Sequence, residues 1–276
     1  MNKLVIDGGF PLKGEITVQG AKNAVLPILA ASIMAEGESV IHNCPKLRDV
    51  EKTGVILEDL GCTVRRERES VYINPENMND CRIDEKLMRE MRSSIIFLGA
   101  ILTVWNKAEV GMPGGCPIGL RPIDLHIKAL KQMGVRITEE YGYIKCECDR
   151  LKGAEIHLDF PSVGATENIM LAAMGASGDT VIHNSAREPE IVDLQNYLNS
   201  CGADIKGAGS SRITVRGKLP LHGTCYRVMG DRIEAGTFLM AAAGTGGELL
   251  VKGADPRYIK CCIRLLRFAG CTVKKE

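Results

Sequence analysis

A segment that recurs along the chain limits the possible folds more than any other feature. Gly37-Glu-Ser-Val-Ile-His-Asn43 returns as Gly178-Asp-Thr-Val-Ile-His-Asn184 and, more diverged, as Gly246-Gly-Glu-Leu-Leu-Val-Lys252. Each copy leads into a helical pattern that closes on a glycine before a short strand. These closures read Leu-Gly-Cys-Thr-Val at 60–64, Cys-Gly-Ala-Asp-Ile at 201–205 and Ala-Gly-Cys-Thr-Val at 269–273, with a fourth version at Met133-Gly-Val-Arg-Ile137. The closing glycines, 61, 134, 202 and 270, are spaced 73, 68 and 68 residues apart. Glycine suits the left-handed cap that ends a helix. Almost wholly apolar helices precede the copies or stand in equivalent places: Pro27 to Met34, Ser93 to Val104, Asn168 to Ala176 and Ile233 to Ala243. A helix apolar on all sides is buried on all sides. The unit reads as a β-α-β-α-β-β module of about 65–70 residues, longer than a solenoid repeat. It predicts an α/β protein of a few modules packed around a shared core of helices.

Composition narrows the partners. The 276 residues carry 35 Lys and Arg against 34 Asp and Glu, a formal net charge of +1. A surface so balanced is not built to grip nucleic acid or an anionic membrane, so an anionic ligand needs a local cluster. Aromatics at 4% argue against base-stacking platforms. Eleven cysteines without a C-x-x-C pair point to free thiols in a reducing cytoplasm rather than to zinc or disulfides. Core roles suit Cys62, Cys201 and Cys271. Met1 to Asp7 has one lysine and no long apolar run, so no signal peptide is expected there. The longest near-apolar run, Ile95 to Trp105, falls well short of the ~20 residues that span a bilayer.

Three segments could carry chemistry. In Gly111-Met-Pro-Gly-Gly-Cys116-Pro-Ile-Gly-Leu-Arg121-Pro-Ile-Asp124-Leu-His126, glycines and prolines make an exposed loop around one cysteine. Pro122 suits a helix first turn, so Cys116 would lie near a helix N-terminus and Arg121, both of which favour thiolate. In Gln19-Gly-Ala-Lys22-Asn23-Ala-Val-Leu-Pro27, Lys22 and Asn23 stand just before a buried helix whose first turn suits Pro27. Every repeat puts polar residues at this mouth: Lys22-Asn23, Arg92-Ser93-Ser94, Ser162 to Thr166 with Glu167, and Asp231-Arg232. Buried helices packed together would gather those ends into a cleft for an anionic small ligand. In Ala186-Arg187-Glu188-Pro-Glu190-Ile-Val-Asp193 the acids suit either a ligand or the helix dipole. Arg65 to Glu69 reads as a solvated strand edge, and Gly207-Ala-Gly209 opens no helix and is a weak dinucleotide signal. The five histidines look scattered, and His42 and His183 occupy equivalent repeat positions, which suits structural roles.

Gly20-Ala-Lys22-Asn23-Ala, Pro113-Gly-Gly-Cys116-x-Ile-Gly-x-Arg121-Pro, Ser162-Val-Gly-Ala-Thr166, Arg187-Glu-Pro-Glu-Ile-Val-Asp193 and Asp231-Arg-Ile-Glu-x-Gly-Thr237 stand in order. Together they resemble the UDP-N-acetylglucosamine 1-carboxyvinyltransferase branch of the enolpyruvyl transferase family. The resemblance implies two inside-out α/β barrel domains, each of three modules, with the active site between them. On that pattern residues 22–228 are a complete domain, and residues 1–21 with 229–276 hold one module of the second. The family is about half as long again, so the chain reads as C-terminally shortened.

The implied reaction moves enolpyruvyl from phosphoenolpyruvate to the 3-hydroxyl of UDP-N-acetylglucosamine and releases phosphate. It needs no organic cofactor and no metal. It implies cytoplasmic work on two small substrates by a monomer, with no nucleic-acid or membrane partner. Cys116 matches the loop cysteine that forms a phospholactoyl adduct and is alkylated by fosfomycin. Lys22 matches the phosphoenolpyruvate contact, with Arg92 and Arg121 facing the anionic cleft, and Asn23 matches a sugar contact. Arg121, Pro122, Ile123, Asp124 and Leu125, with Ser162, Val163 and Gly164, match the segments that hold uridine and diphosphate. Glu188, Glu190 and Arg232 match cleft-lining positions. The family's sugar-deprotonating aspartate falls outside these 276 residues, as do three further arginines, which implies a crippled or inactive chain and self-association through uncovered helices. Two alternatives stay open: transfer to shikimate 3-phosphate, which lacks a loop cysteine, and a non-catalytic UDP-sugar binder.

Overall fold

A computed structural model describes residues 3–5, 7–112, 123–217 and 219–275, with Glu90 and Arg92 described in backbone only. The backbone clusters into two compact units, one of Lys22–Val228 and one of Met1–Ala21 with Met229–Glu276. Strand β1 (Lys13–Thr17) belongs to the smaller unit.

The larger unit opens with α1 (Lys22–Ala31), a 3-10 turn (Ser32–Met34), β2 (Ala35–Glu36), β3 (Ser39–His42), α2 (Arg48–Asp59), β4 (Thr63–Glu67) and β5 (Ser70–Asn74). A second module follows: β6 (Arg82–Ile83), α3 (Glu85–Glu90), a 3-10 turn (Arg92–Ile96), α4 (Phe97–Trp105), β7 (Lys107–Gly111), α5 (Asp124–Gln132), β8 (Arg136–Glu140) and β9 (Tyr143–Glu147). The third is β10 (Glu155–His157), α6 (Val163–Met174), β11 (Asp179–His183), α7 (Pro189–Ser200), β12 (Asp204–Lys206) and β13 (Arg212–Arg216). Finally β14 (Leu221–His222) pairs with β2, and β15 (Cys225–Arg227) returns to pair with β3.

The sheets run β15-β3-β5-β4, β6-β7-β9-β8 and β10-β11-β13-β12. In each, the first two strands are parallel and the remaining pairs antiparallel. The first module therefore takes its leading strand from the far end of the unit. The repeated Val-Ile-His-Asn is explained by this parallel pair. Asn43 and Asn184 end β3 and β11 with φ of 62° and 53°, in the left-handed region where asparagine is tolerated. Their amides then donate to the Val228 and Leu158 carbonyls, at 2.9 and 3.0 Å, and tie down the neighbouring strand's end. The closing glycines Gly61, Gly134 and Gly202 have φ of 94°, 89° and 99°, which a side chain would strain.

At the centre lie α1, α4 and α6. All residues of α1 from Ala24 to Ala31 are buried, as are Phe97 to Thr103 of α4 and Ala165 to Met174 of α6. Helices buried on every side, with sheets outside them, make the arrangement inside-out. Each large aliphatic chain so buried contributes about 1.5–3 kcal/mol.

Some boundaries differ from those read in the sequence. Pro27 lies inside α1, at its sixth residue, not in the first turn of a later helix. Its missing N–H only leaves the Asn23 carbonyl without a helical partner, and Asn23 is at the exposed helix end. The third buried helix starts at Val163, not Asn168, because the Ser162 hydroxyl caps it by accepting from the Ala165 N–H at 3.4 Å.

In the smaller unit, β16 (Glu248–Lys252) runs parallel to β1 and follows α8 (Arg232–Gly244). A 3-10 turn (Pro256–Tyr258) and α9 (Lys260–Phe268) come after it. Here the expectation of burial on all sides fails. Only Ala235 and Ala242 of α8 are buried, and Ile233 and Met240 are 51% and 43% exposed. A two-stranded sheet and one helix cover too little of an apolar cylinder. Cys271, read as a core thiol, is only half-buried for the same reason. No helix among the described residues is long and apolar enough to cross a membrane.

Candidate functional site

The starts of the buried helices hold the polar residues. Lys22 is the first residue of α1, and its ammonium lies 2.9 Å from Asp49 Oδ2. A cation in the first turn opposes the helix dipole, so helix stability does not explain it. Asp49 offsets the charge, and a bound phosphate or carboxylate would add to that. Asn23, beside it, is exposed. Arg92 opens the 3-10 turn that leads into α4.

Two further helix starts meet. Ile123 caps α5, its carbonyl accepting from the Ile127 N–H at 3.1 Å. Asp124 occupies the first turn, and Leu125 is buried, so only its backbone is available to a ligand. The His126 ring packs on Gly164 of α6 so closely that a Cβ there would lie 3.4 Å from Cε1. The structure thus brings Ile123 to Leu125 beside Ser162 to Gly164. Both segments end in backbone N–H groups at helix N-termini, which bind phosphate well.

A buried asparagine holds this junction, and sequence reading missed it. Asn168 Nδ2 donates to the Ile95 carbonyl and to His126 Nδ1, both at 2.8 Å, while its Oδ1 accepts from the Gly99 N–H at 2.6 Å. One amide therefore ties α6 to α4, α5 and the intervening 3-10 turn. Burial pushes His126 down to about 4, with Asp124 opposing weakly, so the ring is neutral at pH 7. Because Nδ1 accepts from the amide, the proton sits on Nε2, on the side facing Gly164. The only sequence signal was a polar residue inside an apolar helix.

The acidic cluster is more buried than a dipole role requires. Glu188 caps α7, Pro189 is its first residue, and Glu190 is 2% exposed. Beneath them Glu167 is buried, and its carboxyl is held well above the usual carboxylate range, first by burial and then by the charges of Glu190 and Glu188. Asp193 accepts from the Tyr226 hydroxyl at 2.7 Å. Glu167 keeps its proton in the folded chain after the unfolded chain has lost it. Stability from this group is therefore full below the ordinary glutamate range and is lost as pH rises toward the folded value. Glu167→Gln, which cannot ionise, is expected to melt higher than wild type at pH 8 but not at pH 4. Thermal melts across that range check this, and a difference independent of pH would contradict it.

Cys116, Arg121 and Pro122 lie outside the described residues, and Arg92 is described in backbone only. Arg232 is the first residue of α8, in the smaller unit, next to the capping Asp231. The remaining thiols divide by burial. Burial pushes Cys44 and Cys146 up to about 12 and Cys62 to about 11, whereas Cys225 and Cys261 are exposed. Brief iodoacetamide treatment at pH 7.5 is expected to label Cys225 and Cys261 and to spare Cys44 and Cys146 until the chain is unfolded. Peptide mapping checks this, and native labelling of Cys44 would contradict the packing.

The histidines are not all scattered. His157 and His183 are register partners on β10 and β11, and their rings stack with centroids 4.3 Å apart. A surface depression lined by Asp84, Glu85, Lys86, Arg89 and Tyr143 is of mixed charge and lies along α3.

Sheets outside a core of helices, with polar helix starts gathered in the larger unit, define an enolpyruvyl-transferase type of fold. The enolpyruvyl transferase NikO from Streptomyces tendae superposes with a TM-score of 0.82 at 21% identity, over 98% of this chain and 65% of that one. An EPSP synthase from Acinetobacter baumannii gives 0.73 at 24% identity, over 98% and 62%. The EPSP synthase (3-phosphoshikimate 1-carboxyvinyltransferase) family matches residues 6–276, and the chain belongs to that family. Among curated relatives, a UDP-N-acetylglucosamine 1-carboxyvinyltransferase 2 from Caldanaerobacter subterraneus subsp. tengcongensis is 54% identical over 274 residues. A UDP-N-acetylglucosamine 1-carboxyvinyltransferase from Lawsonia intracellularis is 48% identical over 276. These matches cover 99% and 100% of this chain but 66% of each relative's length.

Proposed function

We propose that the chain serves enolpyruvyl transfer from phosphoenolpyruvate to the 3-hydroxyl of UDP-N-acetylglucosamine, with release of phosphate, the first committed step of peptidoglycan synthesis. The observation that carries this reading is the 54% identity over 274 residues to a relative of that name. The geometry supports it. The joined starts of α5 and α6 offer backbone donors to a diphosphate, with neutral His126 beside them. Lys22 supplies a cation at the start of α1, suited to the phosphate or carboxylate of phosphoenolpyruvate. Cys116 would form the covalent adduct and assist phosphate departure. Arg92, Arg121, Glu188 and Glu190 would complete the lining, and Asn23 would meet the sugar.

The test is phosphate release by the 276-residue chain, given both substrates, beside its Cys116→Ala variant. Weak release that needs both substrates and Cys116 is the expected result. Saturable UDP-N-acetylglucosamine binding by folded chain without any release would leave these residues as a nucleotide-sugar binder. Thermal protection by shikimate 3-phosphate instead of UDP-N-acetylglucosamine would favour the sister reaction.

A further inference from the structure

We infer that Glu155, His157 and His183 form a chelating site for a late first-row divalent cation on the outer face of the third module. The three ligand atoms lie within 4.8 Å of one another. Glu155 Oε1 is 2.8 Å from His183 Nε2 and 4.0 Å from His157 Nε2, so one carboxylate oxygen faces both ring nitrogens. The rings are near-parallel, at 6°, and point the same way.

The backbone fixes this convergence. Glu155 and His157 alternate onto one face of β10, and His183 is the register partner of His157 on β11. The strand ends are tied at that point by the Leu158 N–H to the His183 carbonyl, at 3.1 Å, and by the Asn184 amide. His183 is mostly covered, whereas His157 and Glu155 are about 70% exposed and free to swing inward to bonding distance. Two imidazoles and a carboxylate with an open fourth position suit Zn²⁺ or Ni²⁺ rather than Mg²⁺ or Ca²⁺.

The first module is an internal comparison. Its register places Cys225, Arg227 and His42 where the third has Glu155, His157 and His183. There His42 takes Ser70 Oγ at 2.7 Å and Cys225 Sγ at 3.1 Å, and an arginine replaces the second imidazole. The chelating set is thus particular to the third module, not a consequence of the repeat. Arg212, exposed opposite His183 on β13, opposes a cation and favours modest affinity. A bound ion would clamp β10, a three-residue edge strand, to β11.

The experiment titrates Ni²⁺ calorimetrically into the 276-residue chain after its exposed thiols are alkylated. One equivalent is expected, weakened at least about tenfold by His157→Ala and unchanged by His222→Ala, whose ring is exposed elsewhere. His157 is exposed enough for its removal to leave the fold intact, which circular dichroism verifies. In nitrogen-15 spectra Ni²⁺ should broaden the His157 and His183 ring signals first. Titration of His157→Ala identical to wild type, or no saturable binding by wild type, overturns the site.

Discussion

Gly99→Ala is expected to lower the thermal midpoint of the larger unit by roughly 4–24 °C. A Cβ on Gly99 would stand 2.3 Å from the Asn168 carbonyl oxygen and 2.6 Å from Oδ1 of the same residue. The first is backbone of α6, so α4 and α6 must move apart. Overpacking of this kind costs about 1–3 kcal/mol, and loss of the buried Gly99 to Asn168 hydrogen bond adds about 1–3 more. Gly54→Ala is the control. Gly54 lies within α2, and its nearest neighbour to a new Cβ is Val64 Cγ1 at 3.9 Å. Alanine there should stabilise by about 0.5–1 kcal/mol through helix propensity alone. Melts of the two variants check the pair. Similar small shifts in both would mean that close approach of α4 and α6 is not what holds the centre.

The largest functional effects are expected at Cys116 and Lys22. If the thiol carries the adduct and the proton for the leaving phosphate, Cys116→Ala should reduce phosphate release at least about 100-fold. The phosphoenolpyruvate-dependent mass increase of the intact chain should vanish with it. Lys22→Ala should cost about 10-fold to 150-fold, the worth of one charge-assisted hydrogen bond to an anion of about 1.5–3 kcal/mol. The Lys22 to Asp49 pair is partly exposed, at 42% and 34%, and a partly exposed pair of this kind contributes about 1 kcal/mol. A Lys22→Ala chain that melts like wild type yet loses release would place the lysine on substrate. Equal losses of stability and release would place it in the fold.

Much of the architecture was legible because periodicity is a local property. The paired Val-Ile-His-Asn copies, the glycines 61, 134 and 202, and the apolar runs marked the β3 and β11 strands, the helix ends and the buried helices. The start of α6 was misread because a hydroxyl cap, Ser162, outweighs the polar stretch that follows it. Pro27 was misread as a helix start because its missing hydrogen bond falls where the helix end is already open. The keystone Asn168 was invisible, since its partners Ile95, Gly99 and His126 are 42 to 73 residues away in sequence.

The sequence by itself determined the module, its repetition and the family, and with them Lys22, Cys116 and the helix starts as the residues to examine. These follow from spacing and residue type, which need no knowledge of distant neighbours. Only the tertiary structure decided which of those ends meet: α5 with α6 through His126 and Gly164, Glu167 beneath Glu188 and Glu190, His157 beside His183. Parallel strands and buried helices join residues far apart along the chain. Protonation states and chelating geometry depend on that proximity and on burial, and neither is written in local pattern.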